Sequence, residues 1–262
     1  MLVKKLTLRD IGRTYCCMAE ASVNETWKDS LPQSRKWFKQ NLRKHVEGYH
    51  LLDGEKVAGH IYFAPSQSAI APFQMEPDVA YIYCTEMMHE YIRKGYGKMM
   101  FNHAKSDLTS RGFKGILVDA SDFEGHMHHS HFTKQGFRVL EEHPPFKILY
   151  FPLLKKSVEV KPLKFNYTPS HGKVEVTLFK NSFCPVGVYM HNLIKHVAKT
   201  FGDKVKIVEI PTTLKTVRKY GTTDPLINGK IKLFGPASTE DIRKAIQEEI
   251  NEFSYSVKPS ST

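Results

Sequence analysis

The first 154 residues alternate between apolar runs with the period of strands and segments with the period of helices. Strand-like runs occupy Met1–Leu8 and Val79–Thr85, whereas Leu31–His45 spaces its apolar residues among lysines and arginines as an amphipathic helix does. The turn Asp53-Gly54-Glu55 between two further apolar runs predicts a hairpin. A second helix is predicted from Lys98 to Thr109. The alternation predicts a mixed α/β (α+β) domain for this part of the chain.

The second half of the chain has its own pattern, which follows a stretch rich in Lys, Ser and Pro. Residues 155–172 are expected to be a linker because prolines and Gly172 interrupt any period. The pattern predicts a smaller domain over residues 173–253 and a disordered tail over residues 254–262. The elements expected in this domain are strands at 174–179 and 205–210, helices at 184–201, 214–220 and 238–253, and a hairpin around Gly229.

A glycine-rich turn, Gly95-Tyr96-Gly97, lies between the strand-like run that ends at Thr85 and the helix predicted from Lys98. Glycine has no Cβ, so its backbone can approach a phosphate closely, and the N–H groups and dipole of a helix start attract the anion. Arg93, Lys94 and Lys98 add positive charge. The turn lacks the hydroxyl of a P-loop and the third glycine of a dinucleotide fingerprint. It therefore predicts a phosphate site of a different family.

The turn resembles the coenzyme A loop of the GNAT acetyltransferases, Arg/Gln-x-x-Gly-x-Gly/Ala. Ile92 holds the Arg/Gln position, and the arginine, Arg93, comes one residue later. Lys134-Gln135-Gly136-Phe137 is similar to the closing Lys-x-Gly-Phe of the same family, and the order of predicted elements over residues 1–154 is also similar. The resemblance implies a mixed central sheet flanked by helices, with acetyl-CoA as co-substrate.

The resemblance also implies roles for individual residues. Glu86 is expected to be the general base, with His89 or Tyr91 assisting. Many family members carry an acidic tyrosine where this chain has Phe132, so either another group protonates the leaving thiolate or it leaves unassisted. The residues expected to contact coenzyme A are Met87, Met88, Ile92, Arg93, Lys94, Gly95, Tyr96, Gly97, Lys98 and Phe132.

The second half resembles a thioredoxin-like fold, and the two halves together resemble the YoaP-like acetyltransferases. Asp224-Pro225 occupies the place of that fold's cis-proline. Cys184 begins a predicted helix, where the N-terminus lowers a thiol pKa, and is a third candidate catalytic residue. Gly187 stands where a second cysteine would complete a redox pair, which excludes dithiol cycling within the motif. A monothiol role and a purely structural role both stay open.

Composition bears on the setting and the partners. The chain carries a net charge of +11 at pH 7, but its lysines are dispersed and no basic tract is interleaved with aromatic residues, which argues against nucleic acid. No apolar run is long enough to span a membrane. The four cysteines form no Cys-x-x-Cys pair and no disulfide framework, which favours a cytoplasmic protein. A homodimer is left open.

A histidine cluster precedes Phe132. If the segment is helical, His126 pairs with His129 and His128 with His131 on two different faces. Two ligands per face leave a tetrahedral metal shell incomplete, so no metal site is predicted. Two other roles stay open for the cluster: it forms a polar helix face near the substrate, or one of its histidines transfers a proton.

These observations predict an N-acetyltransferase that moves an acetyl group from acetyl-CoA to a small-molecule or peptide amine by direct attack. A catalytically weak acyl-CoA-binding sensor is an alternative, because Ile92 and Phe132 depart from the family pattern. A monothiol redox protein that uses Cys184 is another. The sequence does not identify the acceptor amine.

Overall fold

The computed structural model describes residues 1–20, 23–124, 127–170 and 172–256. Contacts among these residues divide the chain into two compact units. The first comprises Met1–Asn24, Arg35–Ala69 and Phe73–Lys161, and the second comprises Glu25–Ser34, Ile70–Pro72 and the residues from Pro162 onwards. Within the second unit, the ring of Trp27 lies 6.4 Å from that of Tyr189, so an early segment packs with residues far along the chain. The predicted limits of the domains and linker stay predictions.

The first unit is built on a mixed sheet. Its strands are β1 (Leu2–Lys5), β2 (Glu47–Asp53), β3 (Lys56–Pro65), β4 (Phe73–Met75), β5 (Val79–Met87), β6 (Gly115–Ser121), β7 (Arg138–His143) and β8 (Phe146–Pro152). The main sheet has the order β1-β2-β3-β5-β6-β8-β7, while β4 pairs with β9 (Val160–Pro162). β5 and β6 run parallel, and the other neighbours in the main sheet are antiparallel.

The helices that follow along the chain are α1 (Glu25–Lys28), which belongs to the second unit, α2 (Leu31–Asn41), α3 (Tyr96–Ser110) and α4 (His129–Thr133). α3 packs against the main sheet. α3 turns Met100, Phe101, Ala104 and Leu108 inward at helical spacing, and they share a core with Ile82 of β5 and with Ile116 and Val118 of β6. The mixed α/β architecture with a central sheet and flanking helices is confirmed.

A β-bulge at Tyr83 changes which face of the sheet the end of β5 presents. Ile82 pairs with Phe63 and Cys84 pairs with Tyr62, so Tyr83 is an extra residue on β5. Ile82 and Phe63 belong to the core beneath α3. Since side chains alternate along β3, Tyr62 and its partner Cys84 lie on the opposite face, and Glu86 lies there with Cys84. We call this opposite face the outer face.

The second unit has a sheet of order β11-β10-β12, in which β10 (Val174–Lys180) is parallel to β11 (Val205–Pro211) and antiparallel to β12 (Leu226–Ile227). Its helices are α5 (Pro185–Lys199), α6 (Leu214–Tyr220) and α7 (Thr239–Ser256). Ser238 and Asp241 form a capping box before α7: the Asp241 N–H donates to the Ser238 hydroxyl, and the Ser238 N–H donates to the Asp241 carboxylate.

Several details of this half differ from the prediction. The second arm of the hairpin around Gly229 forms the bridge of Lys230 to Ile227 and, among the described residues, no strand beyond it. The ammonium groups of Lys230 and Lys232 lie 2.9 and 2.7 Å from the Glu249 carboxylate of α7. The predicted linker contributes β9.

Two further expectations concern Pro225 and the tail. Among the described residues the cis peptide bond is Pro144–Pro145, so Asp224–Pro225 is trans. Its turn is closed locally by the Asp224 N–H, which donates to the Thr222 hydroxyl. The expected tail is helical as far as Ser256, because α7 continues to that residue, and residues 257–262 lie outside the described part.

Candidate active site

β5 and β6 separate at their carboxyl ends and leave a wedge between them. In the described strands their pairing ends with Ile82 opposite Val118. Beyond that point Tyr83–Met87 continues along β3, and Asp119–Ser121 continues along β8. Backbone N–H and C=O groups that face such a gap need partners from elsewhere, so an extended ligand can bind there as an extra strand would.

Met127 provides partners to both sides of the wedge. The N–H of Thr85 donates to the Met127 sulfur atom at 3.3 Å, and the N–H of Ser121 donates to the Met127 carbonyl at 3.1 Å. A methionine side chain is flexible and its sulfur is a weak acceptor, so a better acceptor can displace it.

The glycine turn follows the end of β5, as predicted. Gly95 caps α3 with a φ of +79°, a left-handed conformation that glycine adopts without steric cost. A Cβ built on Gly95 would meet nothing within 4 Å, so backbone conformation alone demands glycine at this position. Arg93 is also left-handed, with a φ of +61°. The first N–H groups of an α-helix have no partner within the helix, and a helix N-terminus of this kind can bind an anion.

Glu86 is the carboxylate at the end of β5 on the outer face. It is half-buried, and one oxygen accepts the N–H of Met87 at 3.1 Å. Burial raises the pKa of Glu86, and the nearby Glu20 carboxylate adds to the rise. A raised carboxyl pKa suits a general base, because such a carboxylate holds an abstracted proton more strongly.

Glu20 is a residue that sequence reasoning missed. Its carboxylate accepts the backbone N–H of His89 at 2.6 Å, which fixes the main chain just beyond β5. The side chain of His89 is exposed, so it lies near Glu86 in sequence without a demonstrated contact to it. Tyr91 is not available to assist, because it is buried and its hydroxyl donates to Asp53 at 3.0 Å.

Asp119 and His143 are a second missed pair. Nε2 of His143 lies 3.0 Å from Oδ1 of Asp119. Burial raises the pKa of Asp119, and the imidazole opposes that rise only in part. Asp119 is the first residue of β6 beyond the pairing with β5, and it alternates with the core residue Val118. It therefore lies on the outer face, on the other side of the wedge from Glu86.

A third missed cluster joins two thiols through one imidazole on the outer face. Sγ of Cys16 lies 3.2 Å from Nδ1 of His60, and Sγ of Cys84 lies 3.4 Å from Nε2. Burial lowers the pKa of His60 well below its usual range and raises that of Cys16 to about 12. His60 is thus a weak base at neutral pH, and the cluster is built for packing rather than for thiolate chemistry.

Residues 11–137 match the model of the acetyltransferase (GNAT) family. This part of the chain is a GNAT acetyltransferase domain. Acetyl-CoA is the acyl donor of such a domain, so the expected co-substrate is confirmed at the level of the family. A comparison with curated protein sequences found no match.

Solved structures similar to this chain include N-acetyltransferases. The ribosomal-protein-S18-alanine N-acetyltransferase of Escherichia coli is 16% identical, covers 60% of this chain and 96% of its own, and has a TM-score of 0.43. The PaiA N-acetyltransferase of Thermoplasma acidophilum, solved with coenzyme A, is 14% identical over 58% of this chain and 99% of its own, with a TM-score of 0.43. Aminoglycoside 6'-acetyltransferase type Ii is 12% identical over 60% and 100%, with a TM-score of 0.46.

The other residues expected to contact coenzyme A in the GNAT domain fall into two groups. Exposed residues of the turn can reach a ligand: Ile92, Arg93, Lys94, Gly95 and Lys98, with Tyr96 and Gly97 half-buried beside them. Met87 packs near Gly97, 3.9 Å from a Cβ built there. Met88 is buried, and its N–H already donates to the Ala58 carbonyl at 2.9 Å. Met88 therefore serves the GNAT core.

Phe132 also belongs to the GNAT core. Its side chain is 2% exposed, and its ring lies 5.4 Å from that of Phe137. It carries no hydroxyl where many GNAT enzymes have a tyrosine, so nothing at this position can protonate a thiolate.

Of the histidines before Phe132, His128 precedes α4, which begins at His129, and its ring lies 6.2 Å from that of His131. His128 caps α4 by accepting the Ser130 N–H, and Nδ1 of His129 lies 3.0 Å from Oδ1 of Asp122. His126 lies outside the described residues. Within the described ranges no group of histidine, cysteine, aspartate and glutamate side chains converges as metal ligands do. Nor does any helix in this part of the chain have the length and apolar character to cross a bilayer.

Cys184 does sit at a helix N-terminus, as the cap of α5. Burial nevertheless raises the pKa of its thiol, because desolvation outweighs the hydrogen bonds from the backbone of Gly187 and Val186. The expectation of a lowered thiol pKa is wrong.

Proposed function

We propose that this chain is an N-acetyltransferase that moves the acetyl group of acetyl-CoA to an amine by direct attack. The observation that carries the proposal is the combination of the wedge between β5 and β6 with the left-handed Gly95 at the start of α3. The turn offers backbone N–H groups to the pyrophosphate, and the wedge offers an edge of β5 along which the pantetheine arm can extend.

In the proposed reaction the amine nitrogen attacks the thioester carbonyl carbon. Glu86 takes the proton that the ammonium must lose, a C–N bond forms and the C–S bond breaks. As the C–S bond breaks, the nitrogen gives up its second proton to solvent, and the coenzyme thiolate takes a proton from solvent because Phe132 has none to give. The products are an amide and coenzyme A. Holding both reactants in the wedge is itself a large part of the rate enhancement.

The second unit is proposed to be a thioredoxin-like accessory domain. Support comes from its element order, with two parallel strands around α5 and an antiparallel third strand. The trans Asp224–Pro225 bond and the raised thiol pKa of Cys184 weigh against a redox role for it. The monothiol redox alternative is accordingly the weaker reading. The cytoplasmic setting and any homodimer belong to the proposal as well.

Calorimetry and a transfer assay test the proposal together. Acetyl-CoA is expected to bind with one site per chain, and acetyl transfer is expected for at least one class in a panel of small amines and N-terminal or lysine-bearing peptides. Acetyl-CoA binding without any transfer favours the sensor alternative. Absence of binding would overturn the proposal.

A further inference from the structure

The Asp119–His143 pair is not used by the direct-attack mechanism, although it lies beside the wedge. Its position follows from the register of β6, β8 and β7. Asp119 pairs with Ile148, and Ser121 pairs with Phe146, which in turn pairs with His143. Side chains of directly paired residues share a face, so Asp119 and His143 both lie on the outer face and reach each other across β8.

The loss of water around the Asp119 carboxylate is only partly compensated by contacts within the protein. Its side chain is only 22% exposed, and that of His143 is 32% exposed. A half-buried carboxylate that meets one imidazole still lacks most of the hydrogen bonds it would have in water. The upward shift of its pKa has that cause. A ligand cation that reached Asp119 would restore the missing stabilisation.

Aromatic rings surround the pair. The His143 ring lies 5.8 Å from the ring of Phe73 and 5.9 Å from that of Phe146. Phe73 lies 6.2 Å from Tyr81 of β5, and Phe146 lies 6.0 Å from Phe123. Phe123 is 37% exposed, so the aromatic surface extends from solvent to the imidazole.

We propose that Asp119 and His143 bind the ammonium group of the acceptor, and that Phe146 and Phe123 hold an aromatic or apolar body attached to it. Small-molecule sites are commonly lined by aromatic side chains and orient the ligand with a small number of polar groups. The faces of aromatic rings also attract cations. The acceptor class is thus an arylalkylamine-like primary amine. The inference rests on the proposed function, and it assigns Asp119 to holding the acceptor and Glu86 to removing its proton.

Steady-state kinetics with chosen probe amines test this inference. 2-Phenylethylamine represents the proposed class, n-butylamine lacks the ring, and spermidine carries charge without an aromatic body. The wild-type protein is expected to show a kcat/KM at least tenfold higher for 2-phenylethylamine than for either of the others. Asp119→Asn is expected to raise the KM for 2-phenylethylamine tenfold or more while kcat changes less than threefold. His143→Gln and Phe146→Leu are expected to raise KM less.

Matched substitutions on the second unit serve as controls. Asp203→Asn and His196→Gln change exposed side chains of the same types and should leave all three probe amines unaffected. Circular dichroism and the melting temperature of Asp119→Asn show whether the variant folds. Equal preference for spermidine, or an unchanged KM in Asp119→Asn, would overturn the inference while leaving acetyl transfer intact.

Calorimetry keeps the inference testable if no amine is acetylated. 2-Phenylethylamine is then titrated into the complex of the protein with coenzyme A. Binding to the wild-type protein that Asp119→Asn weakens tenfold or more supports the site even though the proposed reaction has failed. No binding to the wild-type protein overturns the inference.

Discussion

The backbone N–H of Thr85 donates a hydrogen bond to the sulfur atom of Met127 at 3.3 Å. The bond crosses the wedge between β5 and β6, where the pantetheine arm is proposed to extend. A bound coenzyme must therefore replace the methionine as the partner of Thr85.

Replacing Met127 by alanine is expected to strengthen coenzyme A binding. The hydrogen bond to a thioether lies at the weak end of the roughly 0.5–1.5 kcal/mol that a protein hydrogen bond contributes. Removing this competitor should lower the Kd for coenzyme A about two- to threefold, as measured by calorimetry. Met75→Ala, in β4, is the control and should leave the Kd unchanged. A weaker affinity in Met127→Ala would mean that the side chain contacts the coenzyme directly.

Replacing Gly95 by valine is expected to abolish coenzyme A binding. The space beside Gly95 is open, so the effect comes from its φ of +79°, which a β-branched residue does not readily adopt. The turn would change conformation, and its N–H groups would no longer converge. Calorimetry measures the loss.

Gly54→Val provides a matched control for this substitution. Gly54 has a φ of +57° and equally open space, but it lies in the turn between β2 and β3. The two variants should lose similar stability, whereas only Gly95→Val should lose the coenzyme. Intact affinity in Gly95→Val would rule out the turn as the pyrophosphate site.

Replacing Glu86 by glutamine is expected to lower kcat about 10²–10⁴-fold, the usual contribution of a general base, with little change in the Kd for coenzyme A. Glu90→Gln, four residues later and exposed, is the control. The wild-type rate should rise with pH as Glu86 ionises, because only the carboxylate accepts a proton. Burial raises the pKa of Glu86, so this rise should fall above the usual carboxyl range. A rate that Glu86→Gln leaves unchanged would assign the base elsewhere.

Replacing Phe132 by tyrosine is expected to raise the rate of acetyl transfer or leave it unchanged. A new hydroxyl that reaches the thiolate supplies the acid that the wild-type protein lacks at this position, and one that stays within the core leaves the rate unchanged. The site is buried among core residues, so an unsatisfied hydroxyl should also lower the free energy of unfolding by about 1–3 kcal/mol. Turnover and urea unfolding measure the two effects. A steep fall in rate with intact folding would instead indicate that the ring must pack against the coenzyme.

Replacing Cys184 by serine is expected to spare acetyl transfer to a generic amine. Because burial raises the pKa of this thiol, its labelling by iodoacetamide at pH 7 should be slower than that of a free cysteine. Mass spectrometry of the labelled peptides gives the rate. A loss of turnover in Cys184→Ser as large as that in Glu86→Gln would place the second unit in the active site.

The sequence predicted the parts of the site that depend on local chemistry. A strand, two glycines and a helix start are contiguous, and the Gly95 turn forms where the pattern places it. The position of Glu86 at the end of β5 was predictable as well, because it depends only on where a contiguous apolar strand ends. The pair of Asp119 and His143 was not predictable in this way, because β8 separates the two strands that carry it. In the sequence, such a site is indicated only weakly, by a polar residue that directly follows an apolar strand, as in Val118-Asp119.

Burial is the property of single residues that the sequence left undetermined. Met88 and Phe132 are expected to contact coenzyme A from their positions, and the structure places both side chains in the core, so their contacts with the coenzyme stay predictions. The pKa of Cys184 depends on the balance between a helix start and desolvation, and desolvation depends on neighbours that sequence spacing does not reveal.

The extra residue Tyr83 decides which face of the sheet the last side chains of strand β5 occupy. Ile82 faces the core beneath α3, and in an uninterrupted strand Glu86, four positions on, would face it too. The carboxylate would then face the apolar core on the wrong side of the sheet. Deleting Tyr83 would make Ile82 and Cys84 consecutive and would keep Glu86 on the outer face. A substitution that straightened the strand without shortening it would instead leave every side chain of the chemistry present in the sequence and turn the proposed base away from its substrate.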